Sequence, residues 1–433
     1  MPPSGPFSIQ IDASLHCQLA CPLCPTADGR VQSVLGAGHL KLADFEALLR
    51  RNPQIAHVEL SNYGEMFLNP QLADILACAF EHKVTVSGRN GVNLNFARED
   101  ALEAIVRYRV RSLTCSIDGA TQDTYSRYRV NGNLNRVLAH IDQIREHRAR
   151  LRSAFPLLCW QFIVFGHNEH EIKAARAMAA ERGMEFAPKL SWDPDHSPVQ
   201  NADLVRIETG FGAASRAEYR ERHGTEYARS LCFQLWHAPV LNWNGAMLGC
   251  CVNFWGDFGS NGFSSTLSEA MASPKLEYAR RMLTGDADPR ADIPCASCAQ
   301  YLEIRKSGHW LSRDEIRQHG GIHYTAGITL HADSSVRFAQ VSIAAGNAGQ
   351  PQWEPSGRLF RFGVDNAVYF APPKPGMYTV FVRPLGSSGW MPAAMPIEIA
   401  PRPVCQEFAL EVPARTVPSA RLETVESLPL WIR

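Results

Sequence analysis

The chain has 433 residues, 45% hydrophobic and 20% charged, enough for two or three domains with buried cores and unlike a disordered chain. Lys and Arg number 43 and Asp and Glu 43, so the sequence carries no bulk electrostatic footprint for nucleic acid or an anionic membrane. Met1-Pro2-Pro3-Ser4-Gly5-Pro6 lacks the basic start and apolar core of a signal peptide, no apolar run approaches the ~20 residues that span a bilayer, and a cytoplasmic location is expected.

From residue 7 to about 190, short β-branched runs alternate with amphipathic stretches, as βαβ units around a parallel sheet do. In chain order the spacing predicts a strand over 7–12, a helix over 42–51, a strand over 56–61 and a helix over 71–82. A strand over 84–87, a helix over 98–108 and a strand over 112–117 follow, then a helix over 134–148, a strand over 158–165, a helix over 169–182 and a strand over 184–190. Leu138, Ile141 and Ile144 show the three-and-four spacing of a buried helix face. The fold class expected is α/β, an incomplete (β/α)6 barrel of the TIM type over 1–190, with functional loops at the carboxyl ends of the strands. Residues 191–230 are polar, contain Pro and are weakly periodic, as a linker is. A cysteine-bearing region occupies 231–323. From Tyr324 to the end helical periodicity fades, and strand-like runs over 336–343, 359–364, 378–383 and 408–412 alternate with Pro and Gly clusters, which predicts a small all-β, sandwich-like domain.

The 12 cysteines fall in tight, uneven groups, a pattern of metal binding rather than of disulfides in a reducing compartment. The first group, Cys17-Gln18-Leu19-Ala20-Cys21-Pro22-Leu23-Cys24, lies directly after the first predicted strand. Three thiolates on one loop can ligate three irons of a cubane cluster and leave the fourth open. The competing readings are three buried apolar cysteines, or a zinc loop whose nearest extra ligand, His16, adjoins Cys17 and reaches the same ion poorly. Cys-x3-Cys-x2-Cys after a first strand resembles the signature of the radical S-adenosylmethionine (SAM) superfamily, and the resemblance covers residues 7–190. It implies a 4Fe-4S cluster on Cys17, Cys21 and Cys24, with the open iron chelated by the amino and carboxylate groups of SAM. It further implies reductive cleavage of SAM to a 5′-deoxyadenosyl radical, with an electron donor such as flavodoxin or ferredoxin. Leu23 stands where many members have an aromatic residue, which narrows the subgroup.

Further positions match the same family. Tyr63-Gly64-Glu65-Met66 resembles its Gly-Glu element and implies that Glu65 meets the SAM ammonium; a solvated turn is the alternative. Asn90-Gly91 resembles the end of a Thr-Asn-Gly element, and as a turn dipeptide it has a plain reading too. Cys115-Ser116-Ile117-Asp118-Gly119, followed by Tyr125, Tyr128 and Arg129, resembles the Ser-Ile-Asp-Gly segment. There Ser116 is implied to contact the ribose or methionine portion of SAM, and Arg129 its carboxylate. Asp118 can equally cap the helix that begins near Gln122.

The second group comprises Cys232, Cys250-Cys251, Cys295 and Cys298. Strands over 240–243 and 246–248 turned by Asn244-Gly245 bring Cys232 and Cys250 together, and Cys295 and Cys298 complete four thiolates, suited to zinc or to an iron-sulfur cluster. The order of Gly245, Cys250, a helical segment over 267–283 and a final Cys-x2-Cys resembles the SPASM extension in its shortened Twitch form. This implies one auxiliary 4Fe-4S cluster, with Cys250 favoured over Cys251; Cys405 is too isolated to build another. Cys78, Cys115 and Cys159 read as core residues. The expected function is a radical SAM enzyme oxidising or epimerising a small polar metabolite, such as a sugar, aminocyclitol or nucleoside-like compound, with the auxiliary cluster as electron acceptor. The short segment before the first strand leaves no room for an amino-terminal peptide-recognition domain and favours the small molecule. A maturase acting on a peptide side chain and a non-catalytic iron-sulfur protein are the alternatives, and the C-terminal β domain reads as a docking or structural module.

Overall fold

The β-branched runs of the first 190 residues become strands, and the amphipathic stretches between them become helices. The computed structural model describes residues 7–319, 325–331, 338–346, 360–361, 368–370, 376–384, 389–393, 395–399 and 405–412. Two compact units divide the chain, 1–320 and 321–433. The first begins with β1 (Phe7–Ile11), α1 (Arg30–Leu35), α2 (Leu42–Arg51), β2 (Ile55–Glu59), α3 (Leu72–Glu81), β3 (Thr85–Val92) and α4 (Glu99–Arg107). It continues with β4 (Ser112–Ser116), α5 (Gln122–Tyr128), α6 (Leu134–Arg150), β5 (Leu157–Val164), α7 (Ile172–Glu181) and β6 (Glu185–Leu190). The helices follow their sequence logic: α6 buries Leu134, Val137, Ile141 and Ile144 along one stripe, and Asn133 caps it by accepting from the backbone N–H of Arg136.

All six strands pair in parallel and in sequence order, so each crossover steps in the same direction, as in a (β/α) barrel and unlike a doubly wound sheet, whose order reverses.

The stretch expected to be a linker contains two short helices, α8 (Ala202–Thr209) and α9 (Arg216–His223). Their periodicity is faint because α8 buries only Val205 and α9 buries nothing; Glu218, paired with Arg206 and Arg222, holds them instead. Beyond them come α10 (Gln234–His237), β7 (Val240–Leu241), α11 (Leu267–Met271), α12 (Pro274–Leu283), α13 (Ala299–Ser307) and α14 (Arg313–His319). β7 pairs in parallel with β1, Gln10 opposite Val240, and makes the sheet seven-stranded in the order β6-β5-β4-β3-β2-β1-β7.

The second unit is all β among its described residues: β8 (Thr325–His331), β9 (Phe338–Ala345), β10 (Phe360–Arg361), β11 (Val368–Phe370), β12 (Gly376–Pro384), β13 (Met391–Pro392), β14 (Ile397–Ile399) and β15 (Cys405–Glu411). β10, β9, β12, β13 and β14 form an antiparallel sheet, while β8 pairs antiparallel with β11 and parallel with β15. Ile328, Leu330 and Leu410 of the smaller sheet share one core with Val341, Ile343, Val380 and Val382 of the larger. Of the strand expected over 359–364, only Phe360 and Arg361 lie among the described residues, and residues 336–337 of the strand expected over 336–343 lie outside them. No helix among the described residues is long and apolar enough to cross a membrane.

Candidate active site

Because the strands are parallel, the loops leaving β1 to β6 all emerge at one end of the sheet. The cysteine loop after β1 is wound by two tight turns, Cys24 N–H to Cys21 O and Ala27 N–H to Cys24 O, each 3.0 Å, and is tied to the end of α5 by Ala20 N–H to Val130 O at 3.1 Å. Cys17, Cys21 and Cys24 pack there with Leu19, Leu23, Tyr128, Ile163 and Phe165. Burial pushes the Cys17 thiol up to about 12, helped by Glu65, Cys21 and Cys24; burial also raises Cys21, against the pull of Arg129. Cys17 and Cys21, desolvated and close to other acidic groups, need a cation to be held as thiolates. Two N–H donors reach the sulfurs: Asn93 Nδ2 to Cys17 Sγ at 3.6 Å and Arg129 Nη1 to Cys21 Sγ at 3.7 Å. Among the described residues no three His, Cys, Asp or Glu side chains close up tightly enough for a single ion. A cubane cluster spreads its thiolates over separate irons and is tuned by hydrogen bonds to its sulfurs, and this loop fits one.

Glu65 lies beside the cysteine loop, almost fully buried, its backbone N–H donating to His16 O at 2.8 Å. Its carboxylate accepts from the N–H of Phe67 at 3.2 Å and of Asn93 at 2.6 Å, and burial pushes it up to about 7 against those two bonds. Through its backbone N–H and its carboxylate together, Glu65 thus joins the loops after β1, β2 and β3. Asn90 is exposed, in a bulge where Gly88 faces Leu113 and Val92 faces Cys115, and its N–H donates to Ser61 Oγ at 3.0 Å. Gly91, at φ +122°, lies against Ser116: a Cβ there would stand 2.6 Å from Ser116 Oγ. Ser116 is buried and accepts from Gln161 Nε2 at 3.5 Å.

Arg129 sits between the cysteine loop and Asp118, its Nε 2.6 Å from Asp118 Oδ2, with the side chains 12% and 0% exposed. Asp118 does not cap the helix. Thr121, directly before α5, accepts from the N–H of Thr124, while Asp118 lies too far ahead of the first turn and instead accepts from the N–H of Ile163 at 2.6 Å. Asn93, which carries no motif, is the residue that reading the sequence passed over; a buried Asn just past a strand end is its one signal.

The second thiol group assembles from four places. Cys232 lies in the 3-10 turn Arg229–Phe233 and Cys250 follows the turn at Asn244-Gly245, where Gly245 takes φ +85°, Asn242 N–H donates to Ala246 O at 2.9 Å and Leu241 pairs with Met247. Cys295 lies in the turn Pro294–Ser297 and Cys298 precedes α13. Burial raises both Cys232 and Cys295; next come Cys250 and Cys298 for Cys232, and Cys250, Cys232 and Cys298 for Cys295. The neighbouring cysteines part company here. Cys250 is pushed up to about 11 by burial within this group, while Cys251, at about 12 through burial and Cys250, also feels Asp12. Tyr63 links the two regions: its carbonyl accepts from Thr26 Oγ1 at 2.6 Å, its hydroxyl donates to Val252 O, and burial, then the charge of Cys251, raises it. Cys78 and Cys115 are buried in the core, whereas Cys159 is partly exposed.

No family model matches this sequence, and no curated protein does. Among solved structures the chain is similar to SuiB of Streptococcus suis bound to S-adenosylmethionine, at 15% identity over 69% of this chain and 72% of SuiB, with a TM-score of 0.49. It is also similar to native anSMEcpe with bound AdoMet, at 13% identity over 68% of this chain and 87% of the other, TM-score 0.47. BtrN in complex with AdoMet and 2-DOIA matches at 15% identity over 69% and 94%, TM-score 0.41. These likenesses are distant and fix neither ligand nor activity.

Proposed function

We propose that the chain is a radical SAM enzyme acting on a small polar metabolite, with an auxiliary 4Fe-4S cluster on Cys232, Cys250, Cys295 and Cys298. The observation that carries this reading is the loop of Cys17, Cys21 and Cys24 at the carboxyl end of a parallel sheet, with two N–H donors aimed at its sulfurs. These three cysteines would hold the first cluster, leaving one iron for the amino and carboxylate groups of SAM. When bound, cluster and SAM supply a carbon radical able to take a hydrogen atom from an unactivated C–H bond. Arg129, oriented by Asp118, keeps guanidinium N–H groups beyond its bonds to Asp118 and Cys21 for the SAM carboxylate. Glu65 retains lone pairs for the ammonium, Ser116 would contact the ribose or methionine portion of SAM, and Asn90 is a further proposed SAM contact. A flavodoxin or ferredoxin is the proposed electron donor. The small polar substrate is supported by Gln10, Asp12, Ser61, Ser87, Ser116 and Gln161, buried polar residues in or just past five successive strands. Nonpolar side chains would serve a plain core better.

Anaerobic reconstitution, iron counting and detection of 5′-deoxyadenosine test this. Two cubanes give roughly eight irons per chain, and replacing Cys232, Cys250, Cys295 and Cys298 together by Ala halves that number. About four irons, unchanged by the replacement, would remove the auxiliary cluster. An intact first cluster that yields no 5′-deoxyadenosine with SAM and reductant would overturn the activity.

A further inference from the structure

Glu59 closes β2 with a carboxylate only 8% exposed, and four donors converge on it. Its Oε1 accepts from the Ser61 N–H at 3.1 Å, the Ser61 hydroxyl at 2.6 Å and the Arg89 N–H at 2.8 Å, and its Oε2 accepts from the Ser87 hydroxyl at 2.7 Å. Ser61 Oγ in turn accepts from the Asn90 N–H at 3.0 Å. Ser61 and Ser87 are buried, so these bonds are sheltered from water. Burial pushes the Glu59 carboxyl up against the pull of the four bonds, a cost that a nonpolar side chain would not carry.

What Glu59 holds is the bulge of β3. β2 pairs with β3 as far as Glu59 opposite Ser87, and β4 meets β3 at Gly88 and again at Val92, so Arg89, Asn90 and Gly91 stand against the single residue Thr114. A bulge leaves its extra residues without ladder partners. Here the side chains of Glu59 and Ser61 take the N–H groups of Arg89 and Asn90, and the next residue, Gly91, runs so close to Ser116 that no side chain fits between them. We propose that Glu59 is a positioning residue for SAM, which fixes the backbone of the bulge and thereby the places of Asn90 and Ser116. The inference rests on the proposed SAM site and adds to it a residue that acts through its neighbours. The role needs an acceptor oxygen toward Ser61 and Arg89 rather than a negative charge. Gln keeps that oxygen and turns its amide toward Ser87, whose hydroxyl can accept from it.

The test uses the full chain with its clusters reconstituted, as wild type, Glu59→Ala, Glu59→Gln and Ser61→Ala. Iron content, SAM binding by equilibrium dialysis and the dependence of 5′-deoxyadenosine formation on SAM concentration are measured for each. Glu59→Ala is expected to keep its iron and to weaken SAM about tenfold or more in Kd and KM, with kcat within about threefold of wild type. Glu59→Gln should restore Kd and KM to within about threefold of wild type, and Ser61→Ala, which takes the acceptor from the Asn90 N–H, should fall between. Unchanged SAM affinity in Glu59→Ala with its iron retained overturns the inference. So does a Glu59→Gln as weak as Glu59→Ala, or a Glu59→Ala whose kcat and iron fall in step at unchanged KM, the mark of lost folded protein. If Glu59→Ala takes up no iron, Ser61→Ala decides: SAM affinity equal to wild type overturns the inference, and a loss of about threefold or more supports it. A wild type that binds SAM without forming 5′-deoxyadenosine removes the proposed reaction, and the dialysis comparison still decides the part of Glu59. A wild type that binds no SAM removes both.

Discussion

At the scale of single residues, the energetics of this site centre on carboxylates held where water cannot reach them. Burial pushes Asp12 up to about 7 from an ordinary value of 3.8, against the weaker pull of the Tyr63 N–H and Asn62. Below about pH 4 the group is protonated in folded and unfolded chains alike and costs nothing. As pH rises toward 7 the unfolded chain releases a proton that the folded chain keeps, so stability falls, reaching a penalty of at most about 4 kcal/mol above pH 7. Asp12→Asn is therefore expected to be more stable than wild type at pH 8 and level with it near pH 4, as read from urea unfolding at several pH values. Parallel curves for the two proteins would show that no charge is buried there. Arg129 presents the opposite case. Its removal in Arg129→Ala strands Asp118, whose side chain is 0% exposed, and should cost about 3–5 kcal/mol in the same assay. Arg129→Lys, which keeps the charge and loses the fork, should fall between.

At the scale of elements, the site depends on loops that touch through glycine. A Cβ on Gly64 would stand 1.8 Å from the carbonyl oxygen of Ser14 and 2.5 Å from its carbon, backbone atoms that cannot swing aside. Gly64→Ala should force apart the loops after β1 and β2, lowering both the unfolding midpoint and the iron retained after reconstitution. Gly183→Ala is the control: at φ +65° with nothing within 4 Å, it pays only the left-handed backbone cost of about 1–2 kcal/mol and should keep its iron. Strands and helices of the first 190 residues were legible because their burial is periodic. What was not legible lacks that local signature. β3 was expected to stop at Ser87 and runs to Val92, because the bulge Arg89-Asn90-Gly91 has the composition of a turn. α9 buries nothing and leaves no stripe to read. The cysteines announced themselves by spacing, but Asp118 pairs with Arg129 across α5, between residues 11 apart, and leaves no local pattern to read.

At the scale of the whole molecule, the two cysteine groups belong to a single folding unit. β7 comes from the second cysteine region and completes the sheet beside β1, and Arg280 clasps the carbonyls of Leu235 and Met271 to hold α12 against that region. The core that contains β1 to β6 runs on through Phe233, Met282, Ile293 and Ile304 to Leu311, whereas among the described residues the core of the second unit begins at Ile328. A unit whose apolar surface is buried internally should fold alone. Residues 1–320 produced by themselves are expected to unfold cooperatively, to retain the full chain's iron content and to form 5′-deoxyadenosine from SAM at a similar rate. Residues 321–433 should take up no iron, since the thiols proposed as ligands all precede them. Loss of iron from the shorter chain would mean that the β unit helps to complete a cluster site. Retained iron with lost turnover on a small polar substrate would instead give the β unit a part in presenting that substrate.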